Sequence, residues 1–320
     1  MTKTKIVYLE YIDEFESYGI PKKTIAELKE QNIIADIRLP KGFNAYTSPT
    51  APTLGFLLGQ DKSSATKEEY YTISEPYLTA ILNSGSKIRF LDFDNTYEQC
   101  KKCHGIILPG GAFDNPDDFF IDNKNLPFNE NKRYFAYHCA IMNAHKNKKP
   151  MLGICAGAQM IGAILGNMKM YRCLKEEIPH PAPHKPKPSQ VIMHDIKLIP
   201  NTPIFDIMDI PNGTNTIKIN SRHNQAMVHP SVQEYVKEKP LVKMDIYAIS
   251  NDDNLPEIWG NSDAGILCIQ GHPEDLASQG SKQMQNIYNH VAILAKNYKR
   301  NNQPKISAKL IQKNIDKKTF

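Results

Sequence analysis

The order of elements in this 320-residue chain predicts an α/β fold: a doubly wound, mostly parallel sheet sandwiched by helices. Two observations predict it. Short apolar runs alternate with longer amphipathic stretches from about residue 52 onward, and one of those runs passes straight into a small-residue helix.

Residues 53–58 read as the first buried strand. Ser74 is placed to cap a helix with Pro76 in its first turn; Tyr77, Leu78, Ile81 and Leu82 form its apolar face, and Gly85 stops it. Strands follow at 87–93 and 105–108. A long helix over 131–147 is expected to bury Tyr134, His138, Ile141 and Met142. Residues 151–154 form a strand that leads directly into a helix over 156–165. After Gly166 the texture changes. Five prolines between 179 and 188 make a stiff loop that is neither helix nor central strand. Strands are predicted at 192–199, 216–219, 245–249 and 265–270. A last helix at 278–296 places Met284, Ile287, Tyr288, Val291 and Leu294 on one face. Residues 52–298 thus read as the main domain. Residues 1–51 read as an extension with a strand at 6–9, a helix from Pro21 and a strand at 33–39, and 299–320 as a basic tail.

Composition sets further bounds. With 41% hydrophobic and 23% charged residues the chain can bury a full core, which excludes collagen, a coiled coil and wholesale disorder. No apolar run approaches the ~18 residues of a membrane span, and the N-terminal apolar stretch is too short for a signal peptide. A cytoplasmic chain with six reduced cysteines is therefore expected. The net charge is +5, yet seven basic residues against Asp316 alone give 299–320 a charge of +6 and leave −1 for everything before it. Nucleic-acid binding by the body is not expected. Within the tail, Ile306 and Leu310 lie one helical turn apart, as do Lys305 and Lys309, which fits a short helix docked on the body or on a partner subunit, with a basic arm facing a membrane or nucleic acid as the alternative.

Chemistry concentrates in three motifs. In Gly153-Ile-Cys-Ala-Gly157 a cysteine sits where a strand becomes a helix, with glycine two residues to either side. A nucleophile on so sharp a turn needs small neighbours, and the helix N-terminus beside it favours a thiolate. In Gln270-Gly-His-Pro-Glu274, His272 follows a strand and can reach over the same sheet edge, and Glu274 can turn back to fix its other ring nitrogen. In Leu108-Pro-Gly-Gly111, Gly110 and Gly111 can offer backbone N–H groups to an oxyanion, with Ala156 as the other donor. All three fall at the carboxyl ends of predicted strands, where open α/β sheets bind ligands.

These residues resemble the class I glutamine amidotransferase-like family, with its Gly-x-Cys-x-Gly elbow and downstream His-x-Glu pair. Within it the chain is similar to the γ-glutamyl-γ-aminobutyrate hydrolase branch of the C26 peptidases. The further matching segments are Leu108-Pro-Gly-Gly-Ala-Phe-Asp-Asn-Pro116, Lys149-Pro-Met-Leu-Gly-Ile-Cys155, His194-Asp-Ile-Lys-Leu-Ile-Pro200 and Asn220-Ser-Arg-His-Asn-Gln225. The resemblance covers residues 52–298 and implies a flavodoxin-like sheet. It also implies Cys155 as nucleophile, His272 as base and then acid, and Glu274 as orienter, with Gly111 and Ala156 as oxyanion donors. Gln159, Ser221, His223 and Gln225 are implied to lie near a γ-glutamyl group. The implied activity is hydrolysis of a small γ-glutamyl amide through a thioester. A glutaminase feeding ammonia to a separate synthetase and a non-catalytic scaffold with the tail as its binding element are the alternatives, and the partners these readings allow are a second copy of the chain, as a homodimer, or a synthetase. Ala156 stands where hydrolases of this branch usually carry Arg.

Two patterns are set aside. Cys100-Lys-Lys-Cys-His104 spells a haem attachment motif, but no export signal accompanies it and His104 leads into a predicted strand. His180 and His184 have metal-like spacing, but the prolines beside them prevent a helical ligand pair. Neither a metal nor an organic cofactor is expected.

Overall fold

The computed structural model of the protein describes residues 50–62, 69–111, 114–122, 124–128, 131–179, 184, 192–232 and 239–302. The elements expected at 6–9, from Pro21 and at 33–39, most of the proline-rich stretch with His180, and the tail from 303 onward lie outside the described residues.

The chain opens with β1 (Thr53–Leu57), a hairpin of β2 (Gly59–Lys62) and β3 (Glu69–Thr72), helix α1 (Glu75–Asn83) and β4 (Lys87–Leu91). Next come α2 (Thr96–Lys101), β5 (Gly105–Leu108), α3 (Lys132–Lys146), β6 (Met151–Ile154) and α4 (Ala156–Gly166). Then follow β7 (Met170–Tyr171), α5 (Leu174–Glu177), β8 (Ile192–Leu198), α6 (Ile204–Met208), β9 (Thr216–Ser221) and β10 (Ala226–Met227). The last elements are β11 (Asp245–Ser250), β12 (Pro256–Asn261), β13 (Ile266–Ile269), α7 (Pro273–Ser278) and α8 (Lys282–Asn302).

A nine-stranded sheet runs in the order β4-β1-β5-β6-β13-β12-β11-β8-β9. The first five strands are parallel. Numbered among themselves in chain order, these five follow the flavodoxin-like strand order 2-1-3-4-5. From β13 outward each strand is antiparallel to its neighbour. The two halves differ in texture for a physical reason. Strands β5, β6 and β13 are buried at every residue, as strands covered on both faces must be. Strand β8 instead alternates, with His194, Ile196 and Leu198 inward and Met193 and Lys197 outward.

Helices α2, α3 and α4 pack on one another, and α1, α6, α7 and α8 form a second group. Helix α1 buries Tyr77, Leu78, Ile81 and Leu82 as its pattern predicts. Helix α3 departs from expectation. Its buried stripe is Ala136, Tyr137, Ala140, Ile141 and Ala144, while Tyr134, His138 and Met142 are only half-buried. The aromatic ring of Tyr134 packs on Phe119 and Phe128 at the helix flank, which takes it off the sheet side. Helix α8 buries Met284, Ile287, Tyr288 and Val291 as predicted, adds Ala292 and Ala295, and leaves Leu294 half-buried. It runs on to Asn302, and Lys299 donates to the carbonyl of Ala51. Among the described residues no helix is long and apolar enough to cross a membrane.

Two isoleucines six residues apart on α8 test its packing face. Ile287 is wholly buried and Ile293 is 59% exposed. Ile287→Ala is expected to cost about 2–5 kcal/mol in urea unfolding, and Ile293→Ala no more than about 0.5 kcal/mol. Equal losses would show that the helix does not dock on this face.

Candidate active site

Strand β6 delivers Cys155 to a backbone conformation of φ 51°, ψ −114°, outside the regions that side-chain-bearing residues normally occupy. Such strain costs on the order of 1–3 kcal/mol and persists only where the surroundings enforce it. Here the Cys155 N–H donates to the carbonyl of Ile269 at 2.7 Å, and the Cys155 carbonyl accepts from Gln159 in the first turn of α4. The flanking glycines are required by space. A Cβ on Gly153 would lie 2.7 Å from Ala158 Cα, and one on Gly157 2.1 Å from the carbonyl oxygen of Leu108.

Two residues beyond that same Ile269, Gly271 passes the chain to His272, the N-cap of α7. The His272 backbone N–H donates to Asn220 Oδ1 at 3.1 Å, and its Nδ1 donates to Glu274 Oε1 at 2.7 Å. The side chain of Cys155 lies beside the ring. Burial disfavours the charged ring, but the interactions with Cys155 and Glu274 outweigh it, and the imidazole pKa is pushed up to about 10. Glu274 is wholly buried, whereas Cys155 and His272 keep 8% and 7% exposure, so the constellation is reached from the sulfur end. Behind it, Arg222 contacts Glu274 Oε1 at 3.6 Å and Asp275 at 2.8 Å. Burial, and secondly the Glu274 charge, hold the phenols of Tyr77 and Tyr288 in their neutral form.

The loop after β5 lies across this pair. A Cβ on Gly110 would stand 3.0 Å from both Cys155 Cβ and His272 Cε1, so a side chain there would wedge into the site. Gly111 takes φ +135° with the Arg133 guanidinium packed against it. Three side chains fix the loop. Tyr137 donates to the Pro109 carbonyl at 2.6 Å, Arg133 donates to the Gly110 carbonyl at 2.9 Å, and the Gly110 N–H donates to Tyr77 Oη at 3.1 Å. Of the three predicted oxyanion donors, Gly110 is therefore engaged by Tyr77, while Gly111 and Ala156 adjoin Gly110 and Cys155 in the chain.

The residues expected near substrate form one polar layer beside this centre. Gln159 Nε2 donates to the Gln225 carbonyl at 2.8 Å and to Gln270 Oε1 at 3.0 Å. Ser221 donates to the carbonyl of His184, and His223 Nδ1 donates to the Gln225 carbonyl. Ser221 and His223 are buried within the protein; Gln225 is half-buried.

Sequence reasoning did not single out Tyr77, Arg133, Tyr137 or Arg222 as site residues. Tyr77 and Tyr137 lie on buried helix faces, so their hydroxyls carry no signal distinct from core packing. Asn220 opens one of the family-like segments but carries no chemical signature of its own. The haem-like pattern turns inward: Cys100 and Cys103 are buried, burial pushes the Cys103 thiol up to about 12, and His104 Nδ1 accepts from Thr53.

Fold and site together define a class I glutamine amidotransferase-like protein. The profile of the peptidase C26 family matches residues 56–274, and the chain belongs to that family. It is 27% identical over 207 residues to PB2B2.05 of Schizosaccharomyces pombe, a protein assigned as a glutamine amidotransferase, covering 63% of this chain and 74% of that one. It is 24% identical over 180 residues to protein NtpR of Enterococcus hirae, covering 55% and 69%. Among solved structures, a Thermoplasma acidophilum protein assigned as part of a GMP synthase superposes with a TM-score of 0.50 at 14% identity, over 79% of this chain and 98% of that one, a likeness of fold. Family membership supports a hydrolase or glutamine amidotransferase activity.

The contact between His272 and Cys155 has a direct readout. In the wild-type chain the imidazole is expected to titrate at about pH 10 by NMR. Cys155→Ala and Glu274→Gln should each lower that value, because each removes a partner that favours the charged ring. For the same reason, the stability contributed by the charged ring is fully present below the unfolded-state value of about 6.5 and lost as pH rises through the folded-state value. An unmoved titration in Cys155→Ala would show that sulfur and imidazole are not in contact.

Proposed function

We propose that the chain is a cysteine-dependent hydrolase that cleaves the γ-glutamyl amide bond of a small γ-glutamyl compound. The observation that carries this reading is the imidazole of His272, hydrogen-bonded to a buried carboxylate on one side and placed beside a cysteine on a strained strand-to-helix turn on the other. An imidazole beside sulfur is placed to exchange the thiol proton with it.

In the proposed cycle Cys155 attacks the δ-carbonyl carbon as its thiol proton passes to His272, a C–S bond forms, and the carbonyl electron pair moves onto oxygen. The N–H groups of Gly111 and Ala156 receive that oxyanion, each such donor contributing ~3 kcal/mol. Gly110, bound to Tyr77, serves as the close-packed spacer between them. The His272 imidazolium gives its proton to the departing amine as the C–N bond breaks, leaving a γ-glutamyl thioester. Neutral His272 then takes a proton from water as the water attacks, and collapse of the second intermediate breaks C–S and releases glutamate. Glu274 stays ionised and holds the ring. The segment 221–225, positioned by Gln159, is proposed to flank the γ-glutamyl group. A cytoplasmic setting and a small-molecule substrate accompany this reading.

The purified chain, assayed for glutamate release against glutamine, γ-glutamyl peptides and γ-glutamyl-γ-aminobutyrate, is expected to turn over at least one of the larger amides. Cys155→Ala should reduce release to the uncatalysed background with an unchanged circular dichroism spectrum. Retained activity in Cys155→Ala would overturn the mechanism. Turnover of glutamine alone, with free ammonia, would point instead to an ammonia-delivering glutaminase, the reading nearer to the assignment of the fission-yeast relative.

A further inference from the structure

A second cluster of ionisable side chains lies beside the thiol centre; none of them exchanges a proton in the proposed cycle, and only His223 belongs to the segment proposed to flank the γ-glutamyl group. Glu257 on β12 is wholly buried, and neither of its carboxylate oxygens accepts a well-aligned hydrogen bond among the described residues. Three imidazoles surround its Oε1. His194 Nε2 on β8 stands at 3.2 Å, His223 Nε2 just past β9 at 3.8 Å, and His184 Nδ1 at 3.9 Å. Those three side chains are between 2% and 4% exposed.

A hydrogen bond elsewhere on one of the rings decides where its proton sits. His223 Nδ1 faces the Gln225 carbonyl at 3.0 Å, and a carbonyl only accepts, so Nδ1 holds the proton and Nε2 presents a lone pair to Glu257. His184 Nε2 faces Asp253 Oδ2 at 2.8 Å, and its Nδ1 stands 3.4 Å from Ser221 Oγ and 3.9 Å from Glu257 Oε1. Neither ring nitrogen of His194 has a well-aligned hydrogen-bond partner among the described residues. A lone pair facing a carboxylate away from water is a buried arrangement that is costly unless positive charge joins them.

We propose that His184, His194 and Glu257 form a buried binding site for a divalent transition cation of the zinc class, separate from Cys155, with His223 adjoining it at Glu257. The donor atoms of the first three lie within 4.8 Å of one another. A tetrahedral zinc with bonds of roughly 2.0–2.2 Å sets its ligand atoms about 3.3–3.5 Å apart, and the separations of 3.2, 3.8 and 3.9 Å around Oε1 bracket that spacing. Asp253 behind His184 supplies the carboxylate–histidine pairing that orients metal-bound imidazoles. Imidazole with one carboxylate selects zinc, cobalt or nickel over the hard cations magnesium and calcium. The sequence does not announce the set, because its members come from four separate segments and His184 has only His180 at metal-like spacing.

The site also has a consequence for the chemistry next to it. His223 shares the end of β9 with Asn220, which receives the backbone N–H of His272, and with Gln225, which Gln159 holds. A cation here would tie β8, β12 and this strand end together behind the proposed substrate wall.

The test is titration of the chelator-stripped full-length chain with Co2+, followed by visible absorption and thermal unfolding. The expected result is about one equivalent bound, with the intense absorption of tetrahedral nitrogen and oxygen ligation and no sulfur-to-cobalt charge transfer. Cys155→Ala should bind the same equivalent. Glu257→Gln should weaken binding more than about tenfold; His194→Gln is the second variant should the first fail to fold. A stripped wild-type chain that takes up neither Co2+ nor Zn2+ and unfolds at an unchanged temperature would overturn the proposal and assign the cluster to shared protons. Binding that disappears in Cys155→Ala but survives in Glu257→Gln would also overturn it, by placing the metal on the catalytic sulfur.

Discussion

The backbone hydrogen bond from Cys155 to Ile269 ties the ends of two neighbouring parallel strands together where both chains leave the sheet. Everything that brings sulfur and imidazole within reach follows from that junction. On one side the chain turns at once into α4; on the other, Gln270 and Gly271 carry it to His272. A single backbone bond contributes only ~1 kcal/mol net, less than the strain at Cys155 can cost. Its role is therefore positional. The strain is offset by the burial of Ile154, Ile269 and Leu108, all wholly removed from solvent around the turn.

A second set of contacts converts that junction into a shaped site. Tyr77 from α1 and Arg133 and Tyr137 from α3 hold the loop after β5 by its own backbone atoms, so the two groups of helices meet at one short turn. Because a side chain at Gly110 would strike both Cys155 and His272, the loop has to pass the pair as bare backbone. Electrostatics reinforces the packing. The buried Glu274 carboxylate, with Arg222 at its outer side, favours a charged ring in a place where burial alone would neutralise it. Asn220 adds a neutral tie from the antiparallel half of the sheet, which links the site to both halves of the fold.

Much of this is readable from the residues because it rests on local rules. The elbow announces itself through the two glycines whose absent side chains would strike Ala158 and Leu108, and the parallel strands through their unbroken apolar runs. What escapes has no local signature. The hairpin of β2 and β3 is polar, α6 and α7 are only five and six residues long, and β12 begins at a proline and carries a buried glutamate. The stripe of α3 is misplaced by periodicity alone because Tyr134 finds aromatic partners beside the helix and not beneath it. Polar supports such as Tyr77 and Tyr137 look like core aromatics until their hydroxyl partners are known.

Reactivity at the sulfur separates this account from simple burial. Cys155 is buried, while Cys139 and Cys173 are half-buried. Accessibility alone would make Cys155 the slowest of the three toward a small alkylating agent. Peptide-mapped alkylation of the native chain at neutral pH by iodoacetamide is predicted to modify Cys155 first, because the imidazole beside it is placed to take the thiol proton as sulfur attacks. Modification of Cys139 and Cys173 ahead of Cys155 would contradict the assignment of this sulfur as an activated nucleophile.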